Sequence, residues 1–343
     1  MKTYVIAEIG VNHNGCYEEA LELIDCAARA GASAVKFQTF SAEHLVTMGA
    51  KKMKYQARET KSKTQFEMLK NLQLSEYEHI KLREYSNNKG LEFLSTPFDE
   101  ISLNMLIKIG VEKIKISSAD ITNFLLIKAI SKYKKPIIMS TAASTLDEVM
   151  SAIDFIRKKS FEWHGANYEH QITLLHCVGV YPASDEDQNL NAMITLRNST
   201  GLDVGLSDHS INKFVPVVAV ALGAKIIEKH ITRNKTALGP DHAASLNEKE
   251  FQQMVESIKI TESILGTGIK APTRTEAEYI EKSRRGLYFN KNIEAGKFIG
   301  QGDLIALRPF NGMTPSFFEK VVGRKLKKRA IKNYSVNLDY FED

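Results

Sequence analysis

Eight short β-rich runs, each separated from the next by a stretch with helical character, constrain this chain more than any other feature of its sequence. The runs are Tyr4 to Ile9, Ala34 to Gln38, Glu92 to Thr96, Lys113 to Ile116, Pro136 to Ser140, Ile172 to His176, Asp203 to Ser207 and Lys225 to His230. Strands separated in this way pair in parallel, because a parallel pair needs a long crossover that a helix supplies. Helical stretches at Tyr17 to Ala30, Glu76 to Asn88, Leu146 to Lys158 and Glu248 to Leu265 fit that role, and Gly31, Gly90 and Gly110 each precede a strand, where a helix must stop. Eight such units over about 265 residues predict an α/β fold closed into a (β/α)8 TIM barrel rather than an open doubly wound sheet. Gly10 to Gly15 does not read GxGxxG, so dinucleotide binding loses its main support.

After Leu265 the texture changes. Residues 266–282, with Gly266-Thr267-Gly268 and Pro272-Thr273, read as a linker, and residues 283–343 as a small second domain of short alternating runs. The barrel domain is thus expected over residues 1–265. Composition excludes other classes. The chain has 46 Lys+Arg against 41 Asp+Glu, a net charge of +5 that is spread out and suits small anions better than nucleic acid. The densest basic run, Arg324 to Arg329, has no interleaved aromatics and reads as a solvated strand edge. Three cysteines with no CxxC pair support neither a disulfide framework nor a zinc ribbon, and suggest the cytoplasm. No window offers the ~20 apolar residues of a membrane span.

In a barrel of this kind, reacting groups stand at the carboxyl ends of the strands. Every run here ends in polar residues: Glu8; Lys36 and Gln38; Ser95 and Thr96; Lys115, Ser117 and Ser118; Ser140 and Thr141; His176; Ser207, Asp208 and His209; Glu228 and His230. Burying so many polar groups around one axis is costly unless a ligand or metal pairs them. Residues two apart share a face of a strand, which groups Lys36 with Gln38, Ser207 with His209 and Glu228 with His230. Histidines closing neighbouring strands seven and eight can converge on one divalent ion, most simply Mn²⁺ with Mg²⁺ or Co²⁺ as substitutes, in an open site completed by water and substrate. Lys36 and Lys115, with hydroxyls nearby, suit a small molecule carrying phosphate and carboxylate. The insertion Thr39 to Lys63, with Lys51, Lys52, Lys54, Arg58, Lys61 and Lys63, either covers the site and attracts an acidic substrate or is ordinary solvated surface.

Seven ordered motifs then resemble those of the sialic acid synthases, the family of N-acetylneuraminate synthase and its legionaminate and pseudaminate relatives. They are Ala7-Glu8-Ile9-Gly10-Val11-Asn12-His13-Asn14-Gly15, Val35-Lys36-Phe37-Gln38-Thr39-Phe40, Ser95-Thr96-Pro97-Phe98-Asp99, Leu175-His176-Cys177, Gly205-Leu206-Ser207-Asp208-His209, Glu228-Lys229-His230 and Gly239-Pro240-Asp241-His242. Leu287 to Asn292, Ala295-Gly296, Asp303-Leu304 and Leu307-Arg308-Pro309 look like that family's antifreeze-like (SAF, β-clip) domain. The resemblance implies condensation of phosphoenolpyruvate with an open-chain N-acylated amino sugar, N-acetylmannosamine or a 2,4-diacetamido-trideoxyhexose, to give a nonulosonic acid and phosphate. It implies catalytic roles for Glu8, Asp120 and Glu228, phosphoenolpyruvate binding by Lys36, Thr96, Lys115, Ser118 and Ser207, sugar binding by Gln38, Asp241 and Arg308, and metal binding by His209 and His230. A domain-swapped homodimer, with Arg308 entering the neighbouring barrel, is the implied assembly.

Three positions depart from the family pattern. Asp120 stands where many members carry Glu, Ala142-Ala143 replaces Gly-Met, and Gly179 takes the place of a phosphate-contacting Asn. Two other readings follow from the same residues: a barrel aldolase forming a Schiff base on Lys115, and a sugar- or phosphoenolpyruvate-binding relative without turnover.

Overall fold

The computed structural model describes residues 2–53, 56 and 60–342. Lys54 and Arg58 of the charged insertion lie outside the described residues. The chain divides into two compact units, Met1–Gly266 and Thr267–Asp343.

The first unit carries eight parallel strands: β1 (Tyr4–Gly10), β2 (Ala34–Thr39), β3 (Glu92–Pro97), β4 (Ile114–Ile116), β5 (Ile137–Ser140), β6 (Ile172–Cys177), β7 (Asp203–Asp208) and β8 (Ile226–His230). Their hydrogen-bonded order is β3-β2-β1-β8-β7-β6-β5-β4, and β3 lies against β4, which closes the barrel. Helices begin where side chains satisfy their free amides. Ser75, Thr145 and Asn247 each form a capping box with a glutamate three residues on. Gly110 ends the helix Glu100–Ile109 at φ 90°, a conformation glycine adopts without cost.

Two apolar zones hold the barrel. The larger, between strands and helices, includes Leu23, Ile24, Phe37, Leu103, Ile153 and Phe251. The smaller is formed by Ile6, Ala34, Leu94, Ile138, Leu175 and Ile226, one residue from each of six strands. On β7 this position is Gly205, where a Cβ would stand 2.3 Å from the Ile226 carbonyl oxygen and 2.8 Å from the Leu175 side chain, so no larger residue fits. Beside this layer the Tyr4 hydroxyl donates to Glu92 at 2.6 Å, and Lys113 pairs with the same carboxylate at 2.6 Å.

The polar loops around the barrel carry buried histidines that stay neutral. Burial pushes His13 and His242 each down to about 4, well below the ordinary 6.5. Between pH 6.5 and 4 the unfolded chain therefore binds more protons than the folded one, and stability falls as the solution is acidified. In urea titrations the loss of unfolding free energy between pH 7 and pH 4.5 is expected to be about 5 kcal/mol smaller in a His13→Gln, His242→Gln variant than in the parent, since the other shifted groups titrate alike in both. Equal losses in parent and variant would mean that neither ring is held neutral.

The second unit has a helix, Ala277–Ser283, and a two-stranded antiparallel sheet of β9 (Gly286–Phe289) and β10 (Leu304–Leu307). Leu287, Phe289, Ile293, Leu326, Val336 and Phe341 form its core. The basic run is largely neutralised within this unit. Lys325 pairs with Glu342, Lys328 with Asp339 and Arg329 with Glu294, while the Arg324 guanidinium lies over Phe341. Charges paired in this way make a poor surface for a phosphate backbone.

Among the described residues no helix is long and apolar enough to cross a membrane, and Cys16, Cys26 and Cys177 are all free thiols.

Candidate active site

The strand period of two carries the apolar layer directly into a polar one. Ile6 is followed by Glu8, Ala34 by Lys36 and Gln38, Leu94 by Thr96, and Ile138 by Ser140. Leu175 leads to Cys177, Gly205 to Ser207 and His209, and Ile226 to Glu228 and His230. All of these polar residues, with Lys115 and Ser118, line one cavity of about 450 Å³. A bulge between Glu8 and Gly10 shifts the register of β1 against β2. At Gly10, φ 56°, a Cβ would stand 3.1 Å from Glu8 Oε1, 3.2 Å from Gln38 Nε2 and 3.4 Å from the His230 ring, so glycine keeps this wall free.

Charges in the cavity are buried and matched. Lys36 Nζ lies 2.7 Å from Glu8 Oε2 and 3.7 Å from Glu228 Oε2, and donates to Thr96 Oγ1 at 3.1 Å. Burial pulls the pKa of Lys36 down, but Glu228 and Glu8 outweigh it and hold it above the usual lysine value. Lys115, which donates to Ser140 Oγ at 2.6 Å and to the Ile116 carbonyl at 3.1 Å, is lowered by burial despite the pull of Glu228. The two carboxyls diverge. Burial raises Glu8, whereas Glu228 is held below the usual range because Lys115 and Lys36 overcome its burial. Ser207 donates to Glu228 Oε1 at 2.8 Å and fixes its orientation.

His209 and His230 face each other with ring centroids 5.5 Å apart. Burial lowers His209 to about 4 and His230 well below its ordinary value, so both are neutral. His209 Nδ1 sits 2.6 Å from the Val178 carbonyl, which can only accept, so this nitrogen carries the proton. The lone pair is then on Nε2, where it accepts from the Tyr181 hydroxyl at 2.8 Å. A carbonyl-anchored imidazole is how proteins present a metal ligand, and an ion at Nε2 would take the place of the Tyr181 hydroxyl. Among the described residues no group of three or more His, Cys, Asp or Glu side chains gathers at metal spacing, so an ion here would take two nitrogens and complete its shell with water and substrate. Within those terms the donor set fits.

Not every predicted residue lines the cavity. Asp241 is buried beside it, with Oδ2 3.8 Å from His230 Nδ1, and burial together with Glu8 pushes its carboxyl up to about 7. Asp120 is buried in the turn after β4 and accepts from Asn123 at 2.9 Å; burial raises its pKa. Asp120 Oδ2, Glu228 Oε2 and His230 Nδ1 are among the buried polar atoms without a hydrogen-bond partner among the described residues, and so are open to a ligand or water. Arg308 belongs to the second unit, exposed just after β10.

His176 does not belong to this cavity. Leu175 points inward, so His176 points outward, and its Nε2 lies 2.7 Å from the Gln188 carbonyl. The inward residue is Cys177, whose thiol burial pushes up to about 12 and so keeps uncharged. Alternation along β6 was the signal for it. Tyr181, four residues beyond β6, carries no such signal in the sequence. Of the insertion Thr39 to Lys63, Met53 lines the cavity and its described lysines do not. Gly179 and Ala142 lie against each other on the cavity wall, where a Cβ on Gly179 would meet Ala142 Cβ at 3.4 Å.

A model of the NeuB family matches residues 23–270. Over 327 residues the chain is 43% identical to the N,N'-diacetyllegionaminic acid synthase of Legionella pneumophila, spanning 95% of this chain and 91% of that one. It is 40% identical over 334 residues to the N,N'-diacetyllegionaminic acid synthase of Campylobacter jejuni, spanning 97% of each. Among solved structures, the N-acetylneuraminic acid (sialic acid) synthetase of Leptospira borgpetersenii serovar Hardjo-bovis in complex with citrate is similar at a TM-score of 0.71 and 36% identity, over 82% of this chain and 91% of that one.

Proposed function

The chain belongs to the NeuB family, and from that premise we propose that it is a transferase condensing phosphoenolpyruvate with an open-chain N-acylated amino sugar to give a nonulosonic acid and phosphate. The two legionaminic acid synthases among its relatives favour a 2,4-diacetamido-trideoxyhexose over N-acetylmannosamine as the acceptor. One observation carries the reading: two buried lysines, the hydroxyls of Thr96, Ser118 and Ser207 and two facing neutral imidazoles share a single cavity. The lysines suit the phosphate and carboxylate of one substrate, and the imidazoles suit an ion that holds the other.

In this reading Lys36 and Lys115, with Thr96, Ser118 and Ser207, bind phosphoenolpyruvate and stabilise charge as it shifts toward phosphate. His209 and His230 would hold a divalent ion such as Mn²⁺, which would supply Lewis acidity toward the acceptor's aldehyde. C3 of phosphoenolpyruvate forms the new carbon–carbon bond to the aldehyde carbon, water adds at C2, and collapse of that centre breaks the C2–O bond and releases phosphate. Glu228, ionised and oriented by Ser207, accepts a proton from the water. Glu8 and Asp120 stand beside the reacting carbons, and Gln38 and Asp241 bind the sugar. Arg308 reaches the sugar from the second subunit of a homodimer. Free thiols suit a reducing compartment, and we take it to be the cytoplasm.

Incubation with Mn²⁺, phosphoenolpyruvate and a 2,4-diacetamido-trideoxyhexose is expected to release phosphate, and EDTA to abolish the release, with Mn²⁺ restoring it. Failure with every acylated amino sugar would overturn the proposal. The lowered pKa of Lys115 is the observation that favours a Schiff-base aldolase instead. Borohydride trapping with pyruvate, together with activity that survives EDTA, would establish that alternative.

A further inference from the structure

Asp241 lies in the loop after β8, which contacts the loop after β1 through polar side chains. Asn14, at φ 51°, donates from its amide to the Leu238 carbonyl at 3.0 Å, and the same nitrogen is 3.2 Å from His242 Nε2. His242 Nδ1 is in turn 2.7 Å from Thr232 Oγ1. Gly239, at φ 154°, is pressed between these side chains: a Cβ there would stand 2.6 Å from Asn14 Oδ1 and 2.6 Å from the His242 ring. On the other flank Asn12 Nδ2 donates to Ser245 Oγ at 2.8 Å, and Ser245 donates to the Asp241 carbonyl at 2.7 Å.

We propose that Asn14 is a positioning residue for the acceptor sugar, acting by clamping residues 238–242 so that the Asp241 carboxylate is held beside His230. This rests on the sugar-binding role of Asp241 in the proposed function. Leu238 is exposed and residues 239–242 are buried, but none of the five belongs to an apolar cluster of the barrel, so the path of this segment depends on these polar ties. When a tie is lost, the competent loop is populated only part of the time, and apparent affinity for whatever the loop binds falls by that fraction. Phosphoenolpyruvate, bound by groups on the strands and by Ser118 in the turn after β4, does not share the penalty.

Two substitutions isolate the amide from the backbone. Asn14→Gly keeps the left-handed conformation and deletes the side chain. Asn14→Asp keeps the shape but sets a carboxylate oxygen against the Leu238 carbonyl. In both, KM for the acceptor sugar is expected to rise about tenfold, while KM for phosphoenolpyruvate, Mn²⁺ binding and Tm stay within error of the parent. Hydrogen exchange of the substrate-free protein reads the clamp directly: backbone amides in 238–242 are expected to exchange about tenfold faster in Asn14→Gly, with the barrel strands unchanged. Parental exchange in that loop, or both KM values rising together, would overturn the proposal. A parent protein inactive with every acylated sugar would refute the functional reading, and the exchange result would still decide the clamp.

Discussion

Lys36→Met is expected to lower kcat/KM for phosphate release by about 10²- to 10³-fold, the usual loss when one preorganised charge-stabilising donor is removed. Methionine fills nearly the same length, so packing changes little. The electrostatics change greatly. Lys36 is the cation 2.7 Å from Glu8 and 3.7 Å from Glu228, and without it two buried carboxyls share a site with only Lys115 for company. One of them then takes a proton at neutral pH, and the cavity loses both its fixed positive charge and its divergent pair of carboxyls. Calorimetric titration with phosphoenolpyruvate separates the two losses, since affinity and turnover should both fall. Lys36→Arg should recover little, because a planar fork does not reproduce a point charge between two carboxylates and a hydroxyl. A loss under tenfold would remove Lys36 from the catalytic set.

The second large effect is on stability. Lys229 and Asp208 form an ion pair at 2.6 Å in which neither side chain is exposed, and Lys229 also donates to the Ser210 carbonyl. Lys229→Met should cost about 3–5 kcal/mol, because it leaves the Asp208 carboxylate buried and uncompensated. Combined with Asp208→Asn, which still accepts from the Ser210 amide as Asp208 Oδ1 does at 2.7 Å, most of that loss should return. Urea titrations of the single and double variants measure both quantities. If the double variant is no more stable than the single one, the cost lies in packing rather than in an unpaired charge.

The barrel was largely legible because its strands are apolar β-rich runs punctuated by glycine, and each of the eight lies within one residue of its expected ends. The cavity is legible in the sequence as far as strand alternation carries. Lys36 with Gln38, Ser207 with His209 and Glu228 with His230 do share faces, as period two requires. On β6 polarity points to His176, whereas alternation points to Cys177. Polarity says that a side chain needs a partner; only register says on which side of the sheet it will find one. Tyr181, Met53 and the Asn14 contacts were beyond reach for another reason. They come from loops, whose paths are set by hydrogen bonds between segments more than 200 residues apart in the case of Asn14 and Leu238, and no local periodicity encodes those.

Alternation on β8 also limits how this sequence can change. Glu228 and His230 face the cavity, and Lys229 between them faces Asp208 behind it. A slip of β8 by one residue would exchange the two sides at once, putting an amine where the imidazole now stands and turning Glu228 and His230 toward the packed exterior. Point substitutions can be absorbed one at a time in such a strand, but a single-residue insertion or deletion before Glu228 cannot. Length variation among proteins built on this plan should therefore collect in the loops that follow the strands and spare the strands themselves.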